Sequence, residues 1–143
     1  MSPADQRGTA GTPASDEPGP ARPHLLCDVR ALARARPAPA GALWRLAEPG
    51  RQLDANVVHL PPGRHVEVHT EPDLDVLLLV VAGSGTLAGA GEPHRLAAGA
   101  LLWLPRGSAR GLAADADGLS YLTVHRRRPG LRIHRADPSL PAG

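Results

Sequence analysis

Lysine and phenylalanine are both missing from this 143-residue chain, and cysteine and methionine occur once each. The sixteen cations are therefore all arginines, set against fourteen acids, for a net charge of +2. The sequence pI of about 9.5 owes more to the absence of lysine titration than to an excess of charge. Trp44, Trp103 and Tyr121 are the only aromatic residues, so the core has to be aliphatic and there is little surface on which nucleic-acid bases could stack. The single Cys27 excludes an intramolecular disulfide. No apolar run approaches the roughly 18 residues of a membrane span, and the N-terminus is acidic, polar and proline-rich where a secretion signal would be basic and then apolar. A soluble, cytoplasmic protein without membrane contact is expected.

What the chain has in abundance is glycine and proline, sixteen of each. Met1 to Pro23 carries no hydrophobic period and cannot bury enough surface to offset ordering entropy, so it is expected to be disordered. His24 to Arg36 suggests a short helix with Asp28 near its start, stopped by Pro37 and Pro39. From Leu43 onward, short apolar or alternating runs are separated by Gly or Pro: 43–46, 56–60, 64–71, 76–81, 86–88, 94–97, 100–104, 110–113 and 119–125. Such spacing predicts an antiparallel sandwich or barrel. Val76 to Val81 reads as a strand buried on both faces that ends at Gly83-Ser-Gly85, and a short last strand is expected at 131–133. The resulting division is an N-terminal extension over 1–42, disordered or weakly helical, a β-barrel over 43–135 and a flexible tail over 136–143.

The stretch Arg64 to Glu71 reads Arg-His-Val-Glu-Val-His-Thr-Glu, and a period of two sets His65, Glu67, His69 and Glu71 on one strand face. Two imidazoles and two carboxylates there suggest either a solvated strand or the lining of a polar pocket. Around this stretch the chain resembles the cupins. Gly63, five residues, His69-Thr-Glu71 and, after an apolar strand, Gly83 is similar to their first motif; Gly99, five residues, Pro105-Arg-Gly107, two residues, Arg110 is similar to their second. The resemblance covers roughly Leu43 to Arg128. It implies an all-β fold, the double-stranded β-helix or jelly-roll barrel, with an internal pocket and a homodimer.

In the family, two histidines and a glutamate of the first motif and a histidine of the second hold a divalent metal. The corresponding positions here are His69, Glu71, Val76 and Arg110. A carboxylate can replace an imidazole, but valine has no donor and a guanidinium stays protonated. Side chains two apart on one strand face are separated by about 6.6 Å, so His65 and Glu67 cannot complete the set. No metal is favoured; if iron, manganese, zinc or nickel did bind, His69, Glu71 and Asp75 would be its ligands. The replacements suggest an ion pair between Glu71 and Arg110 with His69 beside it, or an Arg110 that clamps a ligand carboxylate or phosphate.

The expected pocket comprises His69, Glu71, Arg110, Trp103, His65, Glu67 and Tyr121, and the expected function is binding of a small, anionic molecule. The alternative is an enzyme, either a metal-dependent oxygenase or isomerase with altered ligands or an acid/base catalyst using His69 and Glu71. His59 and His94 read as surface residues, and Cys27 lies outside the barrel. The Arg126-Arg-Arg128 run invites a nucleic-acid reading, but the small net charge favours a solvated tail or a dimer contact.

Overall fold

A computed structural model describes residues 21–35 and 39–128. The expectations for the N-terminal stretch up to residue 20 and for a strand at 131–133 lie outside the described residues. The helix, α1, spans Val29–Arg34, shorter than the sequence suggests, because Asp28 itself is the cap: its carboxylate accepts from the Arg30 and Ala31 N–H groups at 3.0 and 3.1 Å. Leu25 and Leu26, counted on the helix from sequence, precede it and are exposed.

Seven strands follow: β1 Gly41–Arg45, β2 Leu53–Leu60, β3 His65–Thr70, β4 Val76–Gly89, β5 His94–Ala97, β6 Leu101–Leu104 and β7 Ala109–Arg126. All pairings are antiparallel. β4 and β7 are much longer than the sequence suggests, since the strand expected to stop at Gly83-Ser-Gly85 continues to Gly89 and the segments on either side of Asp115–Gly118 are one strand. At these places the strands turn a corner. The leading half of β4 pairs with β6 and with 119–124 of β7, which also pairs with β2. The trailing half of β4 pairs with β5 and with 110–114 of β7, which also pairs with β3. Two layers thus share two bent strands, the arrangement of a jelly roll.

The corner needs glycine. Gly83 has φ +81°, and a Cβ there would stand 2.1 Å from the Gly118 carbonyl oxygen. Register slips on both sides of Gly83 absorb the bend.

Between the layers, Leu78, Val80, Leu87, Leu96, Leu112, Leu119 and Tyr121 form one buried cluster. The aliphatic core expected from so few aromatics is what the fold contains. Along the leading half of β4 the buried positions are Val76, Leu78 and Val80, while Leu77 on the other face is 42% exposed. That strand is therefore open on its outer side, contrary to the sequence expectation, because nothing among the described residues covers Leu77 and its cross-strand neighbour Trp103. No helix of the described residues is long and apolar enough to cross a membrane.

Gly83→Ala should lower unfolding free energy by more than about 2 kcal/mol, because strain and a backbone collision add. Gly91→Ala, at a similar φ of +86° but with nothing within 4 Å, should cost only about 1 kcal/mol. Urea unfolding of the two variants checks the difference; equal losses would mean that the β4–β7 corner is not as tight as described.

Candidate functional site

β3, which holds His65, Glu67 and His69 and ends just before Glu71, does not present these side chains on one face. His65 stands opposite Ala113 and Val66 opposite Leu112, but His69 stands opposite Arg110, so Glu67 and Val68 together face the single residue Gly111. One extra residue in β3 is a bulge, and it reverses the phase of everything beyond it. Gly111 permits this: a Cβ there would lie 2.8 Å from the Val66 carbonyl oxygen and 2.9 Å from the Val68 nitrogen. His65 consequently sides with exposed Ala113, on the outer surface, and donates from Nε2 to Glu67 at 2.7 Å. His69 falls in register with buried Arg110, at the barrel mouth, and donates from Nδ1 to the Glu67 carbonyl oxygen at 3.1 Å.

Glu71 and Arg110 do not pair, which corrects the sequence expectation. The Glu71 carboxylate accepts from the Asp73 N–H at 2.8 Å and from the Arg128 guanidinium. Burial alone would raise its pKa, but those hydrogen bonds and the Arg128 charge outweigh it and hold the carboxyl below its ordinary value. Arg128, two residues beyond β7 and still 53% exposed, reaches back to Glu71, a contact that the sequence does not announce. Arg110 is 6% exposed and donates from Nη1 to the Pro105 carbonyl oxygen at 3.4 Å and to the Ser108 carbonyl and hydroxyl oxygens at 3.3 and 3.0 Å. All three partners are neutral. Ser108 was not singled out from sequence; its place two residues from Arg110, after a Pro-x-Gly turn, is the signal that could have found it.

A cavity of about 150 Å³ opens at Arg110, with Leu87, Gly89, Leu104, Ser108 and His94 among its lining. Trp103 also borders it, yet its side chain lies in the outer phase opposite Leu77 and is 58% exposed. His65 and Glu67 line a separate groove of about 220 Å³ with Thr86 and Ala113. Tyr121 belongs to the core at 6% exposure, where burial pushes its phenol up to about 12. Of the seven expected pocket residues, Arg110 and Trp103 border the cavity of about 150 Å³, His69 is the cross-strand neighbour of Arg110 without lining it, and the others lie elsewhere. His59, read as a surface residue, is buried: its Nδ1 lies 2.8 Å from Ser120 Oγ.

The metal set of the resembling family does not fit these residues. Val76 is a buried member of the aliphatic cluster and offers no donor. Asp75, the one neighbouring carboxylate, accepts from the Arg106 N–H at 2.9 Å and faces its guanidinium at 3.6 Å. Among the described residues no group of three His, Cys, Asp or Glu could hold an ion.

Two bent strands shared by two antiparallel layers, with a packed interior and a charged mouth, define a double-stranded β-helix protein. A family model described as an AraC-like ligand binding domain matches residues 60–129. No curated protein matches the sequence. Among solved structures, BH2720 from Bacillus halodurans superimposes with a TM-score of 0.61 at 19% identity, over 78% of this chain and 86% of that one. A cupin-2 domain containing protein from Shewanella frigidimarina gives 0.51 at 19% identity, over 59% and 78%. The Schizosaccharomyces pombe Cnp3 cupin domain gives 0.54 at 15% identity, and the alignment spans 59% of each chain. The chain has the double-stranded β-helix fold of these cupin structures, and residues 60–129 carry the match to the ligand-binding domain model.

Double-mutant cycles check the charge arrangement. Glu71→Ala and Arg128→Ala should couple, whereas Glu71→Ala and Arg110→Ala should add within about 0.5 kcal/mol. Since the folded carboxyl titrates below the unfolded one, its stabilisation is complete above the ordinary carboxylate value and is lost as pH falls through the folded value. Glu71→Gln should therefore show a shallower loss of stability on acidification below about pH 4.5.

Proposed function

We propose that this protein is a cupin ligand-binding module that takes a small anion, a carboxylate or a phosphate, at the barrel mouth through Arg110. The observation that carries this reading is a guanidinium 6% exposed whose hydrogen bonds go only to neutral oxygens and which has no acid within ion-pair distance among the described residues. A buried charge without a counter-charge is costly, and an anionic ligand supplies one. Every hydrogen bond runs through Nη1, which leaves Nε and Nη2 for a forked contact with two anion oxygens.

Size limits the occupant. With liquid water at about 30 Å³ per molecule, the cavity corresponds to roughly five waters, suited to inorganic phosphate or a short carboxylate. The match to an AraC-like ligand binding domain supports binding as the role. Catalysis by His69 and Glu71 as acid and base finds no such support, because Glu71 is held by Arg128 and His69 by a backbone carbonyl.

Calorimetric titration with acetate and with inorganic phosphate tests the reading. At least one should bind the wild type, and Arg110→Gln should weaken it by more than roughly tenfold with the fold intact by circular dichroism. Arg110→Lys should recover only part of the loss, since a lysine keeps the charge without the fork. Binding unchanged in Arg110→Gln would refute the site.

The homodimer implied by the family is supported by the outer face of β4 and β6, where Leu77, Leu101 and Trp103 are 42, 65 and 58% exposed. Sedimentation should give twice 14.9 kDa for the wild type and a single chain for Trp103→Ser. A wild type that stays monomeric at high concentration would exclude this dimer.

A further inference from the structure

Two opposite charges, the buried Arg110 and the exposed Glu92, border the cavity of about 150 Å³ at the barrel mouth without pairing with each other. Glu92 belongs to the turn between β4 and β5, where Gly91 with φ +86° and the ring of Pro93 leave the backbone few alternatives. The turn keeps Glu92 at the mouth. Among the described residues its carboxylate makes no ion pair and no side-chain hydrogen bond. His94, the remaining ionisable residue of the lining, makes no ion pair with either charge.

Arg110 is the complement. Its hydrogen bonds use Nη1 alone. Since no buried side-chain polar atom among the described residues lacks a partner, Nε and Nη2, which have none, are open to the cavity. Gly89, the cross-strand neighbour of Arg110, has no side chain to lie over them.

A simple anion held by this guanidinium meets a like charge at Glu92. A compact volume of about 150 Å³ is only about 7 Å across, less than the screening length of about 8 Å at physiological salt, so the carboxylate is felt throughout it. It repels an anion and attracts a cation. An occupant that carries both signs satisfies both residues at once. Leu87 and Leu104 are buried apolar walls that leave the body of such a molecule little room. Glycine has as many non-hydrogen atoms as the roughly five waters to which the volume corresponds.

We infer that the ligand of the Arg110 mouth is a small zwitterion, an amino acid of about the size of glycine, with its carboxylate on Arg110 and its ammonium facing Glu92. This inference rests on the anion site proposed above and names the class of molecule that fills it.

Glycine and glycolate test it, because glycolate replaces the ammonium by a hydroxyl at almost unchanged size. Each is titrated into full-length nitrogen-labelled protein while the amide resonances of Ser108, Arg110 and Glu92 are followed. Glycine should bind about fivefold more tightly than glycolate, the effect expected of a solvent-exposed charge pair. Glu92→Gln, a conservative change on an exposed turn, should bring glycine down to the level of glycolate and leave glycolate no weaker. Arg110→Gln should weaken both. Glycine that binds no better than glycolate, or a preference that survives Glu92→Gln, would overturn the zwitterion; phosphate or glycolate binding that depends on Arg110 would then leave the anion site standing. If neither compound nor phosphate binds, or if binding is indifferent to Arg110→Gln, both readings fall.

Discussion

The ladder between β4 and β7 is the interaction on which the rest of this molecule depends. These strands run through both layers, and each supplies the central partner for the shorter strands. Leu78, Val80, Leu119 and Tyr121 meet between them, with exposures of 2, 1, 0 and 6%. At about 1.5–3 kcal/mol for each large side chain fully removed from water, such a cluster dominates what the fold gains. With no phenylalanine in the chain, leucine and valine supply most of the buried cluster around Tyr121. The ladder can bend from one layer to the other only because Gly83 and Gly118 touch backbone to backbone.

The buried cluster leaves the charged side chains to the ends and the outside of the barrel. Where the resembling family holds a metal, this chain has placed one position in the core, as Val76, and dispersed the remaining charges among separate partners. Glu71 is satisfied by Arg128, Asp75 by Arg106, and Asp115 by Arg95 and Ser84. Arg110 alone of the substituted positions keeps a charge that is buried and hydrogen-bonded only to neutral oxygens, in a cavity whose lining also includes Glu92. The proposed anion site rests on that one guanidinium.

Much of the fold was legible in the sequence. Short apolar runs punctuated by Gly and Pro announce an antiparallel barrel, Asp28 announces a helix start, and the two glycine-bounded motifs announce the jelly roll. What escaped reading has a common physical origin, namely dependence on residues far away in the chain. The bulge at Glu67 and Val68 exists because Gly111 lies across the sheet, so the alternation of His65, Glu67 and His69 was misleading when read from β3 alone. The glycines at the corner of β4 and β7 look like turns locally, and only the pairing on both sides shows that the strands continue. Glu71 finds Arg128 through the length of β7, which no local spacing encodes. His59 is buried because α1 lies over the cleft beside it and Ser120 happens to be its cross-strand neighbour.

The central claim is that the barrel interior is a dry aliphatic core around Tyr121 and not a wet pocket lined by it. Since Tyr121 is the single tyrosine of the chain, the near-ultraviolet absorbance of tyrosinate reports on this one side chain. Spectrophotometric titration of the folded protein should place its midpoint at about 12, above the ordinary 10.0 that the denatured chain should show. The raised value favours the neutral phenol, so the associated stability is intact below about pH 10 and is lost as pH rises toward 12. A reversible midpoint near 10 in protein that remains folded would mean a phenol in contact with water, and would contradict the packed interior.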